Sequence, residues 1–369
     1  MSLRERLKGA SGRGAADRLY NRFGILANPF PASNQTSANP HRPIDADAEV
    51  EKRIITFLGD RRSQVVVVEG TQGVGKTNFL NHIEAEILSV MRDLDGYYMV
   101  RYLADPEPAF DGTTRRLFEE LGTEHLAQLR DSLKKDRKPI GEAHGHDMRR
   151  ALHRLVKSKD EDNLDSLMME WLLGLRVLKA HRQSLGIQFR LDTVESRTAA
   201  LRDLIQVSAA SGVLKGMFLL LDELEKLGGV LGPTAVIRYL SALRSVVDAL
   251  PEHLFLMIGI TPDALLRYST ALPALRGRLQ NQISLEPLTD VDDALDLADF
   301  YLRAARRMAR GQRDDDGGDS EVLKDTKVES CFEKLLERAE RAGNRGVTQR
   351  AFLHELHDQA EKKIQSLDA

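Results

Sequence analysis

At 369 residues, 42% hydrophobic and 30% charged, the chain is long enough for about two domains and can bury a sizeable core. Its formal net charge of −3 excludes a global basic field, so any contact with nucleic acid falls to local patches. The single cysteine, Cys331, excludes an intramolecular disulfide framework and a cysteine-based zinc cluster, and no apolar run approaches the roughly 18 residues of a membrane span.

Residues 1–27 carry scattered arginines with glycine-rich interruptions and read as an arm ending in a short helix. The start, Met1-Ser2-Leu3-Arg4-Glu5-Arg6, lacks the apolar stretch of a signal peptide, so a cytoplasmic protein without a membrane partner is expected. Residues 28–43 are rich in Pro, Asn and Ser and read as an extended loop. From Asp45 an acidic first turn opens an amphipathic helix expected to stop at Gly59. The β-branched run Gln64-Val65-Val66-Val67-Val68 has the character of a parallel strand buried on both faces. A glycine loop follows, then helical periodicity from Thr77 to Val90 and a second strand over 97–102. Residues 113–210 read as mostly helical, with breaks at 139–141 and 159–163. Strands are expected over 217–221, 254–260 and 283–285, with a helix over 234–249. Beyond Asp290 the pattern is helical apart from the Asp/Gly loop 311–319. Strands alternating with helices predict an α/β fold with a parallel doubly wound sheet, then a helical C-terminal domain.

The loop Gly70-Thr71-Gln72-Gly73-Val74-Gly75-Lys76-Thr77 satisfies G-x-x-x-x-G-K-[ST] in the context that confirms the motif, with a strand before and a helix after. Glycines let backbone N–H groups turn inward onto phosphate oxygens, and Lys76 is placed for the β- and γ-phosphates. Thr77 offers a hydroxyl to Mg²⁺, the helix start points its positive dipole end at the phosphates, and Asn78 completes the expected nucleotide-binding set. The third strand ends in Leu221-Asp222-Glu223. Asp222 is expected to hold the Mg²⁺ water shell, and Glu223 to polarise an attacking water as general base. The cofactors implied are ATP and Mg²⁺, and the reaction is ATP hydrolysis.

These residues resemble an AAA+ type P-loop ATPase. Ile258-Gly259-Ile260-Thr261-Pro262 resembles the sensor-1 strand end, with Thr261 as the polar sensor of the γ-phosphate. Ala274-Leu275-Arg276-Gly277-Arg278-Leu279, followed by Ile283-Ser284-Leu285-Glu286-Pro287-Leu288, resembles the arginine-finger segment and the crossover into a lid. Ala342-Gly343-Asn344-Arg345, running on to Gln349-Arg350, resembles a sensor-2 helix start. More narrowly, the chain is similar to the ATP-binding proteins of BREX-type phage-defence loci. That resemblance rests on a helix ending in Gly216, on Asp222-Glu223-Leu224-Glu225, and on the helix of Thr348-Gln349-Arg350-Ala351-Phe352-Leu353. Gln349 departs from that pattern, which more often has proline. Initiator and transposition-regulator ATPases share the layout.

The resemblance implies a P-loop NTPase core over 44–290, a helical lid over 291–369 and an N-terminal arm and loop over 1–43. It implies a finger reaching a neighbouring subunit's γ-phosphate, either Arg276 or Arg278, with Arg278 preferred from its spacing to Ile283. For sensor 2, Arg345 and Arg350 compete. A homo-oligomer acting on DNA or on a DNA-processing partner follows; the alternative is a nucleotide-gated switch that recruits a protein effector.

Lys76 and Asp222 are separated by far more chain than one strand and its connections need, so residues 123–195 read as a helical insertion. The insertion carries Lys134, Lys135, Arg137 and Lys138, then Arg149, Arg150, Arg154, Lys157 and Lys159. Acids are interspersed, and a charged run is more often a solvated helix face than a phosphate-binding one. His144 and His146 read as an exposed polar turn rather than a metal site. The apolar cluster Leu164, Leu167, Met168, Trp171, Leu172 and Leu173 is either helix core or a protein-docking face.

Overall fold

The computed structural model describes residues 19–32, 39–103, 111–157, 163–279, 281–311 and 321–368. Lys159 and the arginines before residue 19 lie outside them, as does most of the Asp/Gly loop. The chain divides into two compact units. One comprises Asp45–Glu69 and Leu80–Ser284; the other comprises Met1–Ile44, Gly70–Phe79 and Leu285–Ala369.

The first unit is built on five parallel strands, β1 (Gln64–Glu69), β2 (Tyr97–Leu103), β3 (Gly216–Asp222), β4 (Leu254–Ile260) and β5 (Gln282–Ser284), in the order β2-β3-β4-β1-β5. Every residue of β3 and β4 is buried, as the apolar runs Met217–Leu221 and Leu254–Ile258 require of strands covered on both faces. Register sets Val67 beside Ile258 and Leu219 beside Leu256. All carboxyl ends therefore lie at one edge of the sheet.

Helix α1 (Asp45–Asp60) carries Asp45 and Asp47 in its first turn, where the helix dipole favours acids, and runs one residue past the expected stop at Gly59. Its Phe57 is fully buried, with ring centroids 5.2 Å from Phe218 and 5.7 Å from Phe255. A Cβ on Gly216 would meet the Phe57 ring at 2.7 Å. Gly216 does not end a helix, as the sequence suggested. The helix before it stops at Ala210, and Gly216 opens β3 without a side chain because the Phe57 ring occupies that space.

Helices α2 (Lys76–Met91), α3 (Asp111–Lys135), α4 (His146–Lys157), α5 (Leu164–Leu172), α6 (Lys179–Leu185) and α7 (Val194–Ala210) follow, with a kink in α3 at Gly122 and a 3-10 turn over Lys138–Glu142. The residues read as an insertion are not a separate core. Leu126, Leu129, Leu152 and Met168 join Val100 and Leu219 in one continuous apolar cluster. Trp171 and Leu172 are buried in it too, so the apolar run of α5 is core rather than docking face. His125 of α3 stitches these layers together: its Nδ1 lies 2.7 Å from the Tyr98 hydroxyl on β2, and its Nε2 lies 2.8 Å from Ser208 Oγ on α7. Burial depresses the His125 pKa to about 4, so the bridge is made by a neutral imidazole. His144 and His146 are exposed, as expected of a polar turn.

After β3 come α8 (Leu227–Val230), α9 (Pro233–Ala249), α10 (Pro262–Ala271) and α11 (Pro273–Arg276). The second unit contains α12 (Val291–Arg310), α13 (Asp325–Arg341) and α14 (Gln349–Asp368). Its core takes in Leu19, Tyr20, Phe23, Ile25 and Phe30 along with Phe332, Phe352 and Leu356. Tyr20 Oη donates to Glu361 at 2.7 Å, the Asn28 side-chain amide donates to Glu361 and to the His357 carbonyl, and the His357 ring lies 2.7 Å from the Phe30 carbonyl. The described residues of the arm and loop are thus part of the C-terminal helical core. Among the described residues, no helix is long and apolar enough to cross a membrane.

Truncating Phe57 removes the ring that seats α1 on β3 and β4. Phe57→Ala is expected to cost about 3–5 kcal/mol, read as a lowered urea midpoint with an unchanged slope.

Candidate functional site

The loop Gly70–Thr77 leaves the carboxyl end of β1 and runs into α2. Gly73 (φ +84°) and Gly75 (φ +115°) adopt left-handed backbone that side-chain-bearing residues rarely take. Gly70 is held to hydrogen for another reason: a Cβ there would lie 2.6 Å from Val74 Cγ1 and 2.9 Å from the Leu285 carbonyl. Lys76 is buried, and its ammonium donates to the carbonyls of Gly70 at 2.7 Å and Thr71 at 3.3 Å. The loop therefore closes over a single positive charge. Thr71 and Gln72 are exposed, Val74 is buried, and Thr77 is half-buried in the first turn of α2. Asn78 turns its side-chain amide to the Pro40 carbonyl at 3.2 Å.

The start of α14 lies against this loop. Thr348 accepts from Ala351 N as the helix cap, and the Arg350 amide donates to the Gly73 carbonyl at 3.0 Å. A Cβ on Gly75 would come within 3.0 Å of Gln349 Oε1. Of the two sensor-2 candidates, Arg350 thus reaches the loop through its main chain, with an exposed side chain. Arg345 is exposed in the turn before α14.

At the sheet, Asp222 ends β3, two strands from β1, and is fully buried. Its Oδ1 accepts the Glu223 amide at 2.9 Å, and its Oδ2 pairs with Arg101 Nη2 at 2.8 Å. Gly259 on neighbouring β4 makes room for the carboxylate, since a Cβ there would meet Asp222 Oδ1 at 2.8 Å. Arg101 also donates to Asn81 Oδ1 at 3.3 Å and lies 3.9 Å from Glu84 Oε2, both on α2. Its second terminal nitrogen, Nη1, is buried without a hydrogen-bond partner among the described residues. Sequence reasoning passed over Arg101. The signal was a lone charge inside the apolar run Tyr97–Tyr102, since a cation on a largely covered strand calls for an anion beside it.

Glu223 occupies the left-handed region (φ 57°, ψ 35°), a conformation that costs about 1–2 kcal/mol for a residue with a side chain. Its carboxylate is only partly exposed and pairs with the Lys226 ammonium. Thr261 directly follows β4 and precedes α10, with no side-chain capping bond. Arg278 Nε donates to Asp248 Oδ1 at 2.6 Å, whereas Arg276, at the end of α11, is exposed without an ion-pair partner among the described residues.

Each taken by itself, the loop's donors suit the phosphates of a nucleotide, and the acidic strand end suits a hard divalent cation. The loop offers a buried ammonium and a helix N-terminus to phosphate oxygens. Among the described residues the Asp222 carboxylate uses two of its roughly four lone-pair positions, leaving oxygen acceptors for a cation's water shell, and Arg101 Nη1 is a buried donor without an acceptor.

A family model described as "BREX system ATP-binding protein BrxC/D" matches residues 114–363, more than half of the chain. No curated protein matches it. Among solved structures it is similar to the Aeropyrum pernix ORC2 protein in ADPNP–ADP complexes, at 11% identity and TM-score 0.40, over 91% of this chain and 72% of that one. The ADP form of the same protein gives 12% and 0.39, over 91% and 73%. Cdc6p from Pyrobaculum aerophilum gives 14% and 0.36, over 85% and 67%.

Removing one partner of the Arg101–Asp222 pair strands a buried charge. Arg101→Met is expected to destabilise the protein by about 3 kcal/mol in urea unfolding, and the double variant with Asp222→Asn to recover much of that loss.

Proposed function

This chain belongs to the BrxC/D family of BREX-system ATP-binding proteins, and from that premise we propose that it is a Mg²⁺-dependent ATPase. In this reading it assembles with copies of itself when ATP is bound and acts on DNA or a DNA-processing partner in phage defence. The observation that carries it is the loop itself: two left-handed glycines and a buried lysine between a buried strand and a helix start. Lys76 trades its carbonyl partners for β- and γ-phosphate oxygens, and the backbone amides of the loop take the remaining phosphate charge. Thr77 and Asp222 hold Mg²⁺, which when bound neutralises charge developing on the phosphates.

Hydrolysis falls to Glu223 as base for the attacking water, with Thr261 orienting the γ-phosphate end. Releasing Glu223 from Lys226 is a step this reading requires. A finger from a neighbouring protomer completes the site; Arg276 is freer for that role than Arg278, which Asp248 holds. Arg350 or Arg345 contributes from the lid.

A second reading, a slowly hydrolysing switch that recruits a protein effector, is favoured by the same Glu223–Lys226 pair, because that pair must break before the carboxylate can meet an attacking water.

Turnover per protomer is expected to rise with protein concentration or with DNA. A rate flat in both, alongside tight ATP binding, selects the switch. Glu223→Gln is expected to keep ATP binding within about threefold and lower turnover by about 10²-fold or more, whereas Lys76→Ala weakens binding itself. Undiminished turnover in Glu223→Gln removes that residue from the role of base.

A further inference from the structure

Helix α4 has two unlike faces. Met148, Ala151, Leu152, Leu155 and Val156 are buried, while Arg149, Arg150, His153, Arg154 and Lys157 are exposed. Its one carboxylate, Asp147, stands one turn before Arg150 on the same face and is engaged by the amides of Gln188 at 2.9 Å and Phe189 at 2.8 Å. Arg150, Arg154 and Lys157 follow one another at helical spacing, and among the described residues none of the three has an ion-pair partner. Like charges at this spacing repel and weaken a helix. A merely solvated face would be expected to intersperse acids, as α3 does with Asp131 and Lys134.

A second observation sits beside the row. The chain leaving α6 turns at Gly186 (φ +72°), where a Cβ would lie 3.7 Å from Arg150 Cβ and 3.6 Å from Arg154 Cγ. The next residues are pinned: Asp147 holds the two amides, and Trp171 Nε1 donates to the Phe189 carbonyl at 3.1 Å. On this fixed backbone the Phe189 side chain is left 72% exposed, the highest value of any large hydrophobic residue among those described. The rigid anchoring presents an aromatic ring at a set place near a line of cations.

We propose that this face is a contact surface for duplex DNA, with Arg150, Arg154 and Lys157 taking backbone phosphates and Phe189 packing against the sugar–base edge. The inference rests on the reading that the protein acts on DNA, and it names where. From Arg150 to Lys157 the helix rises about 10 Å, enough to meet several charges of a duplex carrying one per roughly 1.7 Å of axis. A convex helical ridge fits a groove about 12 Å wide. Single-strand sites are instead concave and stack successive bases on several aromatic rings, and here there is one.

The test is fluorescence anisotropy of the full chain with a labelled duplex, a single strand of the same sequence and anionic phospholipid vesicles, across a salt series. The double variant Arg150→Glu with Arg154→Glu is expected to bind duplex at least tenfold more weakly. Its slope of log affinity against log salt should shrink by about 2. Phe189→Ala is expected to weaken duplex binding about fivefold without changing the slope. Both should bind ATP as the unaltered chain does and keep its melting temperature. Should the charge reversal not fold, Arg150→Gln with Arg154→Gln takes its place. If the unaltered chain binds duplex and the variants bind equally well, this surface is not the site, although the DNA reading stands. If the unaltered chain binds no duplex, the DNA reading falls and the surface assignment falls with it. Tighter binding to the single strand or to vesicles, lost in the variants, overturns the duplex assignment.

Discussion

A parallel sheet cannot be closed by tight turns. Each strand must return by a crossover long enough to carry a helix, and every carboxyl end is delivered to the same edge. In this chain that constraint puts the departure of the phosphate loop from β1, the Asp222 end of β3 and the Thr261 end of β4 along one margin. It also demands that β3 and β4 be buried on both faces: Phe57 of α1 packs on Phe218 and Phe255, and residues of α3, α7 and α9 share the apolar cluster of Leu219 and Leu256. The order β2-β3-β4-β1-β5 then places β4 between the loop strand and the acidic strand, with Gly259 thinned to make room for the Asp222 carboxylate. The long stretch between β2 and β3 is an enlarged crossover sharing the sheet's core.

What could be read in advance was whatever local chemistry dictates. The β-branched run at Val65–Val68, the glycines of the loop and the acidic start of α1 each have a cause within a few residues of themselves, and the strand and helix positions expected from them agree with the structure to within about two residues. The BREX-type resemblance, drawn from Gly216, the Asp222–Glu225 stretch and the Thr348–Leu353 helix, agrees with the match to the BrxC/D model. Features set by distant partners were not readable. Gly216 looked like a helix stop because a glycine's cause is invisible when it is the Phe57 ring 159 positions upstream. Tyr20 reads as part of an N-terminal arm and Asn28 as the start of an extended loop, yet Glu361 holds both. Arg101 was passed over because its meaning lies in Asp222, on the next strand.

The candidate site divides in the same way. Its loop is a backbone device, so its sequence announces it. The charges around Asp222 form a small network, Arg101 to Asp222 to the Glu223 amide, whose members come from two strands and a strand end. Such networks depend on mutual satisfaction in a setting of low dielectric, and no single member signals the rest. The basic face of α4 illustrates the limit differently. The charges were plain in the sequence, but what sets them apart from an ordinary solvated helix is the neighbouring turn that Asp147 and Trp171 fix in place.

The left-handed backbone at Glu223 has an evolutionary consequence. Glycine or asparagine would relax that conformation, and valine or isoleucine would strain it further, so drift towards a more comfortable fold leads away from glutamate. Under the base role proposed for Glu223, robustness and chemistry pull in opposite directions at this one position. A lineage with no use for that carboxylate has an easy downhill route to an amide or to hydrogen.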